Sequence, residues 1–179
     1  MDFAAILAGG DRRSIGRADE VVAALGAEPA RFGEAWDCLS HDNPVVRMRA
    51  ADALEKFTRD RPAELMVYKR DLLTRVREDD AAAMRWHLVA MASRLALDDR
   101  EADELCGYLD QCLRGDGSRI VRVMALQAAC DILARVPAVE GCFEAMMGYA
   151  LFSDMPSVRA RARRLLRRRG LAAQEDVLF

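Results

Sequence analysis

The sequence predicts an all-α fold, an α-solenoid of about four stacked helix pairs preceded by one or two extra N-terminal helices. Three observations carry this expectation. The chain of 179 residues is 52% apolar but only 6% aromatic. It is dominated by Ala, Leu, Val, Met and Arg, a mixture that favours helices over strands. Second, the string D-N-P-V-V-R-M-R-A-A-D-A-L at 42–54 returns three times in weaker form, placing Arg47, Arg85, Arg122 and Arg159 at spacings of 38, 37 and 37. Third, a further stretch of helical apolar periodicity lies between successive copies. Repetition at such a period marks an array in which neighbouring units bury one another's apolar faces.

In chain order, Asp2 is placed to cap a short helix over 3–8 that stops at Gly9-Gly10, since glycine is costly inside a helix and easy at its end. A polar link follows over 11–16. A second helix is predicted over 17–25, with Val21, Val22 and Leu25 on one face, and a third over 30–39, with Phe32, Trp36 and Leu39 on one stripe. In the repeated string, Asp42 is the predicted cap and Pro44 sits in the first turn, where no backbone N–H is needed. Val46, Ala50, Ala53, Leu54 and Phe57 then share an apolar stripe. The intervening segments at 64–77, 99–113 and 139–151 carry their own stripes, such as Leu65, Tyr68, Leu72, Leu73 and Val76.

The pattern D-x-P-x-V-R-x-x-A-x-x-A-L at 42–54, with copies at 80–92, 116–129 and 154–166, resembles the second helix of HEAT repeats. The resemblance covers roughly residues 30–169 and implies a right-handed α-solenoid in one HEAT-like domain. Its parts would be N-terminal helices at 1–29, repeats at 30–58, 62–97, 99–135 and 138–169, and a tail at 170–179. It also implies an inter-repeat polar ladder of Asp42, Asp80, Asp116 and Asp154 with the four arginines, Asp116 being one residue out of register. The tryptophan and glycine pattern of tetratricopeptide units is missing.

Opposite the core stripe lie Met48, Asp52 and Glu55, the side that in HEAT repeats faces the concave surface. The equivalent columns contain Met48, Trp86, Val123 and Ala160; Arg49, His87, Met124 and Arg161; and Asp52, Ala90, Gln127 and Arg164. The expected partner-binding residues are therefore Met48, Arg49, Asp52, Trp86, His87, Val123, Met124 and Gln127. Trp86 is the largest apolar anchor, because tryptophan is enriched among binding hot spots. The function this implies is a non-catalytic adaptor or scaffold that binds a protein partner.

A second reading is nucleic-acid binding through the basic patch Arg159, Arg161, Arg163, Arg164, Arg167, Arg168 and Arg169, since clustered guanidiniums neutralise phosphates. The same helix has a structural explanation. Where Ala51, Val89 and Leu126 would face a following repeat, the last copy has Arg163, as a terminal repeat needs for solubility. HEAT-like folds also include glycosylases acting on alkylated DNA bases. Trp86 is the only aromatic among the concave-face positions and no catalytic motif is present, so no enzyme activity, cofactor or metal is expected.

The net charge is −2 at pH 7, with 27 basic and 29 acidic residues. Cys38, Cys106, Cys112, Cys130 and Cys142 form no C-x-x-C pair and read as reduced structural thiols. An acid at Asp2, no uncharged run near the ~20 residues of a membrane span and the thiols together predict a cytoplasmic protein without membrane contact.

Overall fold

The computed structural model describes residues 2–10, 14–79 and 81–168. All regular structure among them is helical: α1 (Phe3–Ala8), α2 (Ala18–Ala27), α3 (Phe32–Asp37), α4 (Pro44–Phe57), α5 (Lys69–Glu78), α6 (Ala82–Ala92), α7 (Asp99–Gly115), α8 (Arg119–Leu133), α9 (Glu140–Leu151) and α10 (Pro156–Arg168), with short 3-10 segments between some of them. The chain divides into two compact units, Met1–Leu95 and Ala96–Phe179. The boundary falls near the predicted junction of the second and third repeats.

In the first unit α4 is the central helix, touching α1, α2, α3 and α6, while α5 packs on α6. The predicted stripe of α4 is the core: Val46, Ala50, Ala53 and Leu54 have no exposed surface. Asp2 caps α1 as expected, accepting from Ala4 N at 2.9 Å and Ala5 N at 3.3 Å. Two predicted helices are interrupted. The 30–39 segment is α3 flanked by 3-10 turns at Pro29–Arg31 and Cys38–Ser40, and residues Pro62–Tyr68 are 3-10 before α5 begins. These segments serve an aromatic cluster. Trp36 stacks on Tyr68 with ring centroids 4.5 Å apart, Phe32 lies against both, and Trp36 donates from Nε1 to Asp71 Oδ2 at 2.7 Å.

In the second unit α8 packs against α7, α9 and α10, and α9 against α7 and α10. The α7 helix starts with a reciprocal capping box between Asp98 and Glu101, which satisfies two otherwise orphaned backbone donors. Val121, Ala125 and Ala129 of α8 and Val158, Ala162 and Leu165 of α10 are buried at the positions equivalent to the α4 stripe. All five cysteines are thiols, with Cys38, Cys106 and Cys112 buried. No helix among the described residues is long and apolar enough to cross a membrane.

The four repeated arginines share one structural role, and it differs from the expected ladder. Each guanidinium reaches back to the carbonyl oxygen six residues earlier, in the turn before its own helix. Arg47 Nη1 donates to His41 O at 2.8 Å, Arg85 Nε to Asp79 O at 2.9 Å, Arg122 Nε to Asp116 O at 2.5 Å and Arg159 Nη1 to Ser153 O. The side chain at that same position accepts from the backbone N–H two residues on. His41 Nδ1 takes Asn43 N at 3.0 Å, Asp79 Oδ1 takes Ala81 N at 2.8 Å, Asp116 Oδ1 takes Ser118 N at 2.7 Å and Ser153 Oγ takes Met155 N at 3.2 Å.

The turn residue is thus His41, Asp79, Asp116 and Ser153. Asp116 is in register; Asp42 and Asp154 stand one residue late, and Asp80 lies outside the described residues. The cap of α4 is likewise Asn43, whose Oδ1 accepts from Val45 N at 3.0 Å, and not Asp42.

Candidate functional site

On α4 the predicted binding side is covered. The N-terminal helices α1 and α2 pack on it. Arg49, expected to face a partner, has no exposed surface. Among the described residues its guanidinium is bound by main-chain carbonyls: Nη1 to Leu7 O at 2.6 Å and Gly9 O at 2.5 Å, and Nε to Ser14 O at 3.1 Å. The first two belong to the C-terminal end of α1, where unpaired carbonyls attract a cation. Gly16 completes the seat. Its φ is +57°, and a Cβ there would stand 2.5 Å from Arg49 Cζ, so both its backbone conformation and the guanidinium beside it require glycine.

Asp52, Glu55 and His87 are also buried, contrary to the expected free face. Asp52 pairs with Lys56 at 2.8 Å, and Lys56 pairs in turn with Asp19 of α2 at 2.7 Å. Burial alone would lower the Lys56 pKa, but the hydrogen bonds its ammonium donates to both aspartates outweigh it and raise it. Glu55 is held by Arg59 at 2.6 Å and by Arg94. Arg94 also donates to Glu55 O at 2.8 Å and Thr58 Oγ1 at 3.0 Å, closing the end of α4. Burial would raise the Glu55 pKa; the two guanidiniums pull it below the usual carboxylate range.

His87 is 2% exposed, and among the described residues its Nδ1 has no hydrogen-bond partner. Desolvation, only partly opposed by Asp52 and Glu55, pushes its pKa down to about 4, so the imidazole is neutral at pH 7. Met48 and Trp86 remain half-buried in this unit, with the Trp86 ring centroid 3.4 Å from that of His87.

The same unit has a cleft lined by Asp2, Glu34, Asp37, Cys38 and His41. Burial, followed by the charges of Asp2, Asp37 and Glu34, raises the Cys38 pKa, which keeps the sulfur a thiol and a poor nucleophile. Among the described residues no three His, Cys, Asp or Glu side chains converge as a metal site would require.

The second unit is different. Val123, Met124 and Gln127 of α8 are all half-buried and reach the surface. Gln127 Nε2 donates to Asp131 Oδ1 at 2.8 Å, while its Oε1 accepts from Arg161 Nη1 of α10 at 2.7 Å. This bond joins the predicted α8 column to the arginine-rich helix, which were separate features in the sequence. At about 100° per residue, Arg161, Arg164 and Arg168 fall in one row of α10. The Arg161 pKa is lowered, first by burial and then by repulsion from Arg164 and Arg168, with Asp131 opposing. Among the described residues Arg164 and Arg168 have no carboxylate partner and both are exposed.

The other members of the predicted basic patch divide by role. Arg159 is engaged in its turn, Arg163 and Arg167 lie exposed on another side of α10, and Arg169 is outside the described residues. At the column that buries Ala51, Val89 and Leu126 completely, Arg163 is exposed.

Sequence reasoning missed the arginine clamp and the turn motif. A signal for the first was the unusual pairing of a central-helix arginine with a glycine-rich link, but no local periodicity connects the two. Compared with known proteins, the chain matches no protein-family model and no curated protein sequence.

Proposed function

We propose that this protein is a non-catalytic interaction module, an α-solenoid of HEAT-like helix pairs that binds a protein partner on the α8–α10 face of its second unit. The supporting observation is the Arg161–Gln127 bond at 2.7 Å. Val123 and Met124 lie one helical turn before Gln127 on α8, so the bond supports reading their face and the arginine row of α10 as one surface that offers apolar contact and charge. On the first unit the corresponding positions Arg49, Asp52 and His87 serve the interior, which makes the second unit the better docking surface. In this reading Val123 and Met124 are the apolar anchors and Gln127 holds the two helices in register.

The test is a comparison of proteins retained by the wild-type chain and by Met124→Asp, with circular dichroism and thermal melting as controls for folding. Loss of one specific partner with an unchanged melting temperature is the expected result. Identical partner sets for both proteins would refute this surface.

A further inference from the structure

We infer that the partner recognised on the α8–α10 face is an acidic amphipathic protein segment, its carboxylates meeting Arg161, Arg164 and Arg168 and its apolar side chains meeting Val123 and Met124. This inference rests on the docking surface proposed above and names the chemistry of its occupant. The three arginines are spaced i, i+3 and i+7 along one side of α10, a span of about 10 Å at the rise of an α-helix. A helical segment with carboxylates at the same intervals matches that span. Arg164 and Arg168 are exposed and lack a carboxylate partner among the described residues. Among the described residues Arg161 donates to the neutral Gln127 amide.

Arg161, Arg164 and Arg168 gather three positive charges along one row of a single helix, which an anion laid along that row would offset. Bidentate pairing makes carboxylate a good geometric match for each of them. Two features favour a protein over a nucleic acid. Val123 and Met124, both half-buried, offer apolar contact that a phosphate backbone does not use. Asp131 is exposed and joined to the same network through Gln127, which disfavours a continuous polyanion but is tolerated by a peptide with spaced carboxylates.

The experiment uses the full chain and fluorescence anisotropy with three labelled probes: a helical peptide of Glu, Leu and Ala carrying glutamates at i, i+3 and i+7, the same peptide with Gln for Glu, and a single-stranded DNA oligonucleotide. The expected result is saturable binding of the glutamate peptide that weakens with added salt, with the glutamine peptide at least about tenfold weaker. Arg164→Glu/Arg168→Glu, two changes at exposed positions, weakens the glutamate peptide by a comparable factor without altering the melting temperature.

Preferential binding of the oligonucleotide, displacing the peptide, would overturn the inference in favour of nucleic acid. Absence of binding to the glutamate peptide would also overturn it. If Met124→Asp abolishes capture of a cellular partner while Arg164→Glu/Arg168→Glu does not, the docking surface stands and its acidic occupant is refuted. If neither substitution affects capture, both readings fail.

Discussion

Replacing Arg49 with Ala tests the structural account of the covered face. The guanidinium donates charge-assisted bonds to Leu7 O, Gly9 O and Ser14 O, and bonds to charged groups contribute about 1.5–3 kcal/mol each. The full sum is not expected, because α1 can leave instead of the whole unit unfolding. Docking of α1 buries Phe3, Ile6 and Leu7, worth together about 5–9 kcal/mol, against roughly 6–12 kcal/mol for ordering its six residues at 1–2 kcal/mol each. Without the clamp these contributions nearly cancel.

Arg49→Ala should therefore release α1 and lower the stability of the unit by about 2–4 kcal/mol, the upper part reflecting the vacated space beside α4. Amide hydrogen exchange over residues 4–9 would report the release, and urea denaturation the overall loss. Wild-type protection over those residues, together with a stability loss below about 1 kcal/mol, would refute the clamp.

Further predictions concern the same unit and the repeated turn. Gly16→Ala should destabilise by about 1–3 kcal/mol in urea melts, because a Cβ would meet Arg49 Cζ at 2.5 Å on a residue with φ of +57°. Stability should fall on acidification. The folded His87 pKa of about 4 lies below the ordinary value of 6.5 for an imidazole, so the unfolded chain binds more protons between those values. The contribution is complete above pH 6.5 and is lost as pH falls toward 4, by about 3 kcal/mol. The paired carboxylate of Glu55 adds to the loss in the same direction at lower pH, and melting temperatures across pH 4–7 measure it. Trp86→Ala should admit water to the neighbouring imidazole and raise the His87 pKa toward its ordinary value, as read by NMR titration. Arg122→Met should cost about 1.5–3 kcal/mol by removing the charge-assisted bond to Asp116 O, and Asp116→Asn should be milder than Asp116→Ala, since an amide oxygen can still accept from Ser118 N.

The apolar stripe of the repeated helices was legible in the sequence because it depends only on residues three and four apart. Val46, Ala50, Ala53 and Leu54 are buried where the periodicity placed them. The recurrence of the arginines was equally visible, but not their chemistry. Counting acids selected Asp42, Asp80, Asp116 and Asp154. The turn instead requires a side-chain acceptor and a carbonyl at one shared position, and His41, Asp79, Asp116 and Ser153 meet that need without sharing a residue type. The predicted helices at 30–39 and 64–77 are interrupted where the Trp36 and Tyr68 rings meet, a contact across more than thirty positions.

The sequence by itself determined the helical class, the period and the inward face of each repeated helix, since these follow from local propensity and spacing. Tertiary structure decided which outward residues remain available. Arg49 and His87 share a column with Met124, and Asp52 shares one with Gln127, yet Arg49, His87 and Asp52 are buried while Met124 and Gln127 are not. The difference lies in what packs on each helix. The N-terminal helices cover α4, and their end carbonyls draw in the Arg49 guanidinium, whereas on the second unit Gln127 ties α8 to the arginine row of α10. Exposure is a property of neighbours distant in the chain, and a helical repeat pattern contains no information about them.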